Sequence, residues 1–226
     1  MSAGVSDNEL CNFAYDGQLA LLAHRLKENP KSVHSTDQTE RTPLHWAVSN
    51  GQREVADLLL DNNASVNSQD SSGWTPLHIA ASTGNQTILF AILSRGAEIN
   101  AQNHSGQSPL HYAASRNRLE AAKSLLARGA DADTTDMYNA TPLHRSASKG
   151  NTKIVQLLIA HHANLNLQDS EGNTPLHLAC EEGRVADARL LIEAGADTTL
   201  RNKDGSTAIR LATDTMKKQL QLCRGG

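Results

Sequence analysis

Histidine is the residue type in this sequence best suited to chemistry, because its imidazole can bind a metal or carry a proton near neutral pH. The chain has ten histidines. Five of them end a recurring Thr/Ser-Pro-Leu-His tetrapeptide, once every 33 residues: His45, His78, His111, His144 and His177. One histidine per repeat does not supply the cluster of ligands that a metal needs. We therefore expect these side chains to form hydrogen bonds between neighbouring turns.

Other signatures of catalysis are missing from the sequence. His161 and His162 are adjacent at a predicted helix end, where their side chains diverge, and the spacing offers no further ligands. There is no glycine-rich phosphate loop and no nucleophile elbow. We expect no catalytic residue, no metal and no cofactor, so a peptidase or metal-dependent enzyme is the alternative that we disfavour.

The elements around each tetrapeptide repeat with the same period. An Asp or Asn lies five residues before the Thr or Ser, and a Gly lies two before it, with Glu40 and Asn139 as exceptions. The Thr or Ser can cap a helix whose first residue is Pro. A second apolar run ends at Gly, or at Asn63 or His162. Period and tetrapeptide are typical of ankyrin repeats. They predict an all-α ankyrin-repeat solenoid of about seven helix-turn-helix repeats, with short β-turn or hairpin tips and a concave binding face.

The repeat register also predicts the domain organisation. We expect one ankyrin-repeat domain over residues 1–226, capped by irregular repeats at 1–36 and 202–226. In the last repeat, Ala208 and Arg210 replace the Pro and His of the tetrapeptide. The full repeats are predicted at 37–69, 70–102, 103–135, 136–168 and 169–201.

Composition limits the classes of partner. The formal net charge is −3, so electrostatics favours neither nucleic acid nor an anionic membrane. No apolar run approaches the ~20 residues that span a bilayer, and the first residues are polar and acidic, unlike a signal peptide. Three widely spaced cysteines, Cys11, Cys180 and Cys223, suit reduced thiols. We expect a monomer in the cytoplasm and nucleus.

Residues that the repeat does not require mark the predicted binding face. Trp74 and Tyr138 lie at turn tips, and Trp74 is the anchor that we favour. Trp46 and Tyr112 follow their capping residues by four positions, where packing between helices is the alternative explanation. A basic group in the third and fourth full repeats precedes an acidic group in the fifth, and an ordinary solvated face is the alternative: Arg116, Arg145 and Lys149, then Glu171, Glu181 and Glu182.

One combination of residues resembles the gankyrin-like family of proteasome-associated ankyrin-repeat proteins. It comprises Cys11-Asn12, Ala14-Tyr15, Arg41 before Thr42, Leu44-His45-Trp46-Ala47, Gly73-Trp74, Leu77-His78-Ile79-Ala80-Ala81-Ser82, His111-Tyr112-Ala113-Ala114-Ser115 and Gly172–Cys180. The resemblance implies a chaperone that grips the C-terminal helical domain of an ATPase subunit of the proteasome base. It implies further links to the retinoblastoma protein, a cyclin-dependent kinase and an E3 ligase of the p53 pathway. The contact candidates that it implies are Arg41, Trp46, Trp74, Ser82, Tyr112, Ser115 and Arg116. Thr39 and Ser71 depart from the acidic tips expected in this family.

A second motif points to pocket proteins. Leu178, Cys180 and Glu182 match Leu-x-Cys-x-Glu, a motif by which proteins such as the retinoblastoma protein are bound in extended form. The helix predicted to start at Thr174-Pro175 would run through it, so ordinary repeat packing is the interpretation that we favour.

The hypothesis that follows is a non-enzymatic protein-binding scaffold that assists assembly of the proteasome regulatory-particle base. An inhibitor module that occludes a kinase or a transcription factor through the same face is the alternative.

Overall fold

The computed structural model describes residues 8–221, so the polar first residues and Cys223 lie outside it. Within that range the chain forms fourteen α-helices and a short 3-10 helix, and the only β-type pairing is an isolated antiparallel bridge between Arg201 and Thr207. The all-α prediction is therefore confirmed. By internal contacts the chain divides into two compact units, one up to His104 and one from Ser105 onward. The expectation of a single domain stays a prediction.

The first unit contains three pairs of helices. The first helices of successive pairs, α1, α3 and α5, pack on one another, and so do the second helices, α2, α4 and α6. The 3-10 helix Pro30–His34 follows α2. The bounds are α1 Glu9–Asp16, α2 Leu19–Glu28, α3 Pro43–Ser49, α4 Arg53–Asp61, α5 Pro76–Thr83 and α6 Gln86–Ser94.

The second unit continues the same arrangement with four pairs. Here α7, α9, α11 and α13 pack in succession, as do α8, α10, α12 and α14. The bounds are α7 Pro109–Ser115, α8 Leu119–Ala127, α9 Pro142–Lys149, α10 Thr152–Ala160, α11 Pro175–Glu181, α12 Val185–Glu193, α13 Ala208–Leu211 and α14 Asp214–Gln221. The helix α13 has only 4 residues, where the five equivalent helices have seven or eight.

The tetrapeptide forms a reciprocal cap at the start of each full repeat's first helix. In the first, the Thr42 backbone N–H donates to His45 Nδ1 at 3.1 Å. The proton must then lie on Nε2, which donates to the carbonyl of Trp74 at 3.0 Å. The equivalent bonds run from His111, His144 and His177. The predicted hydrogen bonds between turns are confirmed at these four histidines, and burial lowers the pKa of each, so they are neutral at pH 7.

The turn tips follow the expected backbone chemistry. Where Gly is replaced, Glu40 and Asn139 adopt positive φ, at 60° and 55°. The main chains of adjacent tips are joined by hydrogen bonds, for example from Ser71 N–H to the Thr39 carbonyl at 2.9 Å and from Ser170 N–H to the Tyr138 carbonyl at 2.7 Å. Each tip is thereby held at a fixed position relative to its neighbour within the unit.

Candidate protein-binding patches

An aspartate anchors most of the tips, and its two carboxylate oxygens have different partners. In the first full repeat, Asp37 Oδ1 accepts the backbone N–H groups of Thr39 and Arg41, at 2.9 and 3.0 Å. Asp37 Oδ2 accepts a hydrogen bond from Trp46 Nε1 at 2.9 Å. One oxygen therefore shapes the turn, and the other fixes a side chain of the following helix.

The first unit carries a patch that we call the Arg41 patch, a concavity of about 330 Å³. Within it, Arg41 Nε donates to Asp70 Oδ2 at 3.0 Å, and the guanidinium lies 5.0 Å from the centre of the Trp46 ring. Trp46 also makes an edge-to-face contact with Tyr15, with the ring centres 5.8 Å apart. The lining residues are Asp37, Gln38, Thr39, Arg41, Trp46, Asp70, Ser71 and Ser72.

The electrostatics of this patch fixes Arg41. Asp70 is 4% exposed, and burial alone would raise its pKa. The hydrogen bonds from the Trp74 and Ser72 backbone N–H groups and from Arg41 outweigh burial, so the pKa is lowered and Asp70 is ionised. Arg41, a predicted contact residue, is thus half of an ion pair that lies on an aromatic ring.

The second unit carries the Tyr138 patch, a concavity of about 270 Å³. Its aromatic member, Tyr138, is 55% exposed, and the neighbouring Met137 is 63% exposed. The lining residues are Ser115, Tyr138, Ala140, His144, Arg145, Ser148, Lys149, Asp169 and Leu178. Four residues predicted to contact a partner, Ser115, Tyr138, Arg145 and Lys149, are therefore brought together here.

The two cations of the Tyr138 patch differ. Arg145 Nη2 donates to Asp136 Oδ2, and the Asp136 side chain is fully buried. Burial would raise the Asp136 pKa, but the Arg145 hydrogen bond and the Tyr138 backbone N–H outweigh it, so the pKa is lowered. Lys149 is exposed and forms no ion pair with a residue that the structure describes. Lys149 is the unneutralised cation of this patch.

Residues 10–103 and 110–202 match the family model of ankyrin repeats in three copies, and residues 86–123 match a second model of ankyrin repeats. The chain belongs to the ankyrin-repeat family. The predicted repeat type is confirmed, and ankyrin repeats are a protein-binding scaffold.

Among curated ankyrin-repeat proteins, the chain is similar to the 26S proteasome non-ATPase regulatory subunit 10. It is 48% identical to the Mus musculus protein and 47% identical to the Homo sapiens protein, in each case over 60 residues. The match covers 26% of this chain and 26% of each relative, about a quarter of their length. The predicted resemblance to the gankyrin-like family is confirmed over that segment.

Two solved ankyrin-repeat domains are similar over almost the whole chain. The ankyrin-repeat domain of Bcl-3, a member of the IkappaB protein family, is 30% identical, with a TM-score of 0.85. The human ASB11 ankyrin-repeat domain is 27% identical, with a TM-score of 0.83. Each comparison covers 97% of this chain and 99% of the other.

The remaining predicted contact residues are not equally accessible. The Trp74 side chain is partly buried, with its ring 6.0 Å from that of His78. Ser82 is 5% exposed and offers little surface. The Tyr112 hydroxyl donates to Gln107 Oε1 at 2.6 Å, and Arg116 is exposed at the end of α7. Trp74, Ser82, Tyr112 and Arg116 do not line either patch.

The Leu-x-Cys-x-Glu match lies in a helix. Leu178 and Cys180 belong to α11, and Glu182 is its C-terminal capping residue. Cys180 is fully buried, and burial raises the pKa of its thiol to about 12, so it is protonated. Glu182 is exposed and lies 3.9 Å from Arg184. The motif would have to leave the repeat core before a pocket protein could bind it in extended form.

The structure shows no group of three or more His, Cys, Asp or Glu residues placed to hold a metal within residues 8–221. None of the described helices is long and apolar enough to cross a membrane. The residues that sequence reasoning missed are the buried acceptors Asp70 and Asp136. The signal that could have found them is the Asp five residues before each capping residue.

Proposed function

We propose that this ankyrin-repeat protein is an assembly chaperone that holds the C-terminal helical domain of one ATPase subunit of the proteasome base. The observation that supports the proposal is the 48% identity to proteasome non-ATPase regulatory subunit 10 over 60 residues, in a protein-binding scaffold. The Arg41 and Tyr138 patches supply aromatic rings beside fixed guanidinium groups, a composition favoured at binding anchors. The retinoblastoma protein, a cyclin-dependent kinase and an E3 ligase of the p53 pathway are further proposed partners. Cytoplasm and nucleus are the proposed locations.

A second candidate function is an inhibitor module that occludes a transcription factor or a kinase. Similarity to the IkappaB-family protein Bcl-3 over 97% of this chain favours it, because the chaperone resemblance rests on a shorter segment. The same patches would serve either function.

Direct titration with purified C-terminal helical domains of the proteasome base ATPases separates these functions. We expect one domain to bind and Tyr138→Ala to weaken it about thirtyfold, since a buried aromatic anchor contributes about 2 kcal/mol. Trp74→Ala should also weaken binding, by less if its packing against His78 persists in the complex. Phe90→Ala is the matched control, because Phe90 is a comparably exposed aromatic (42%) on α6. The inhibitor function would be favoured by two results together. None of the ATPase domains would bind, and a kinase or transcription factor would bind to the wild type but not to Tyr138→Ala.

A further inference from the structure

In three tips, the Oδ2 atom of the tip aspartate accepts a hydrogen bond from a side chain of this protein. The donor comes from one of two positions, either the residue directly before a capping Thr or the residue four positions after it. The pairs are Asp37 with Trp46, Asp70 with Arg41, and Asp136 with Arg145.

Asp169 breaks this pattern. Its Oδ1 accepts the backbone N–H groups of Glu171 and Asn173, at 2.9 and 2.8 Å, so the turn is built as in the other tips. Its Oδ2 accepts no hydrogen bond from any residue between 8 and 221. The reason is in the sequence, because the two donor positions hold Ala140 and Leu178, which have no polar side-chain atom.

The space left by this change is the Tyr138 patch itself, whose lining includes Asp169, Ala140 and Leu178. Ala140 precedes Thr141 as Arg41 precedes Thr42. In the first unit, the guanidinium of Arg41 fills the corresponding space and binds Asp70 Oδ2. The second unit therefore has the acceptor and the space, but not the guanidinium.

We propose that Asp169 is a partner-binding residue, and that it receives the guanidinium of an arginine side chain supplied by the bound protein. The exposed Tyr138 ring in the same concavity can lie against that guanidinium, as the Trp46 ring lies against Arg41. This inference names the partner chemistry of one patch and rests on the proposed binding function.

Two cations in the concavity bear on the proposal. Arg145 is neutralised by its pair with Asp136, so it opposes an incoming guanidinium little. Lys149 is unneutralised, and a partner segment with a carboxylate close to its arginine would satisfy both Lys149 and Asp169. The patch thus selects an arginine accompanied by an acidic residue over a purely basic segment.

A test that needs no partner uses Ala140→Arg, which supplies the absent guanidinium from within the chain. We expect Ala140→Arg to raise the melting temperature by about 2 °C relative to the same substitution in an Asp169→Asn background. Asp169→Asn alone keeps the turn, because Asn202 already occupies the equivalent tip position and its Oδ1 accepts the Ser206 N–H at 3.0 Å. Equal melting temperatures in both backgrounds would show that Asp169 does not receive a guanidinium there.

The second test measures binding of the purified ATPase helical domains. Asp169→Asn should raise the Kd of the ATPase domain that binds about tenfold, which is the loss expected for one charged hydrogen bond. Asp197→Asn is the matched control, because Asp197 also accepts a backbone N–H two residues on, at 2.8 Å, and is not part of the patch. We expect less than a twofold change for it.

The outcomes separate the two proposals. If no ATPase domain binds, but the gain in melting temperature from Ala140→Arg still requires Asp169, the proposed function fails and the guanidinium site stands. If a domain binds and Asp169→Asn has no more effect than Asp197→Asn, the assignment of Asp169 is overturned. A partner arginine whose replacement by alanine weakens binding to the wild type, but not to Asp169→Asn, would identify the residue that Asp169 receives.

Discussion

A tip aspartate in this protein receives hydrogen bonds from the backbone of its own turn and, in three tips, from a side chain of the binding patch. Asp70 illustrates the consequence, because its carboxylate is nearly inaccessible to water yet remains ionised. Arg41 is held in one orientation by that charge and by the Trp46 ring. The Arg41 guanidinium is therefore already ordered and partly neutralised before a partner binds. The Arg41 side chain thus loses less conformational entropy on binding.

Removing Arg41 should therefore cost stability as well as affinity. Arg41→Ala leaves Asp70 without its side-chain partner, and we expect the free energy of unfolding to fall by about 1–2 kcal/mol. Arg116→Ala is the control, since Arg116 is exposed and should change stability by less than about 0.5 kcal/mol. Urea denaturation of both variants measures the difference.

The pH dependence of that loss provides a check on its cause. The pKa of Asp70 is lowered in the folded state, so its contribution is present above the unfolded pKa of about 3.9 and is lost as pH falls through the folded value. The gap between wild type and Arg41→Ala should narrow below about pH 4. A gap that stays constant with pH would mean that lost packing on Trp46, not the ion pair, explains the effect.

The patches were harder to predict from sequence than the residues that shape the turns. The capping Thr or Ser, the Pro and the buried His act within four residues of one another, so local rules predict them. The pair of Arg41 with Asp70 joins residues 29 positions apart, and its burial depends on how two repeats stack. Sequence spacing alone therefore does not reveal that Arg41, a contact candidate, is half of an ion pair.

Within the second unit, the second helices of the repeats share a column of buried apolar side chains, and one helix breaks it. The column position lies thirteen residues after the first residue of each tetrapeptide, and α12 places Asp187 there, only 1% exposed. Asp187 Oδ1 has no hydrogen-bond partner within residues 8–221. The other members are Ala121, Ile154 and Leu220, all of them buried, and Val55 and Ile88 are buried at the same repeat position in the first unit.

Asp187 should weaken the packing of α14 on α12. Burial raises its pKa, opposed by a hydrogen bond from Thr152 and by the charge of Arg184. The other charged side chains on the helices packed against α12 are exposed except Lys217, which is half-buried: Lys153, Glu181, Asp214, Lys217 and Lys218. We expect Asp187→Asn, which keeps the shape, to stabilise the protein by about 1–2 kcal/mol at pH 7.

The sign of the pH effect distinguishes this carboxyl from Asp70. Because the folded pKa of Asp187 is raised, its destabilisation is present above that pKa and is relieved as pH falls through it towards about 4. The advantage of Asp187→Asn in urea denaturation should therefore shrink as the pH falls from 7 to 4. An advantage that is equal at both values would contradict a charged Asp187.

The fold of the chain was predictable because one register of 33 residues runs through the sequence, and within each unit the helices of successive repeats pack on one another. That arrangement also means that stability varies along the chain with the quality of each local interface. We expect the terminal repeat to be the least stable for three reasons: its tetrapeptide has lost Pro and His, α13 has 4 residues, and α12, on which α14 packs, carries Asp187.

We therefore expect amide protons of α13 and α14 to exchange before those of the other helices, with early loss of protection after about residue 200.

Restoring the tetrapeptide tests the cause. Thr207 already has the extended φ and ψ of the other capping residues, at −81° and 158°, so Ala208→Pro with Arg210→His should rebuild the cap. A gain of about 1.4 kcal/mol would slow exchange in α13 and α14 about tenfold and leave α3 unchanged. Hydrogen exchange followed by mass spectrometry measures both regions in one sample. Uniform protection along the wild-type chain would refute the idea of a weak terminal repeat. Slowed exchange in α3 as well would show that the cap acts on the whole chain, not on its last repeat.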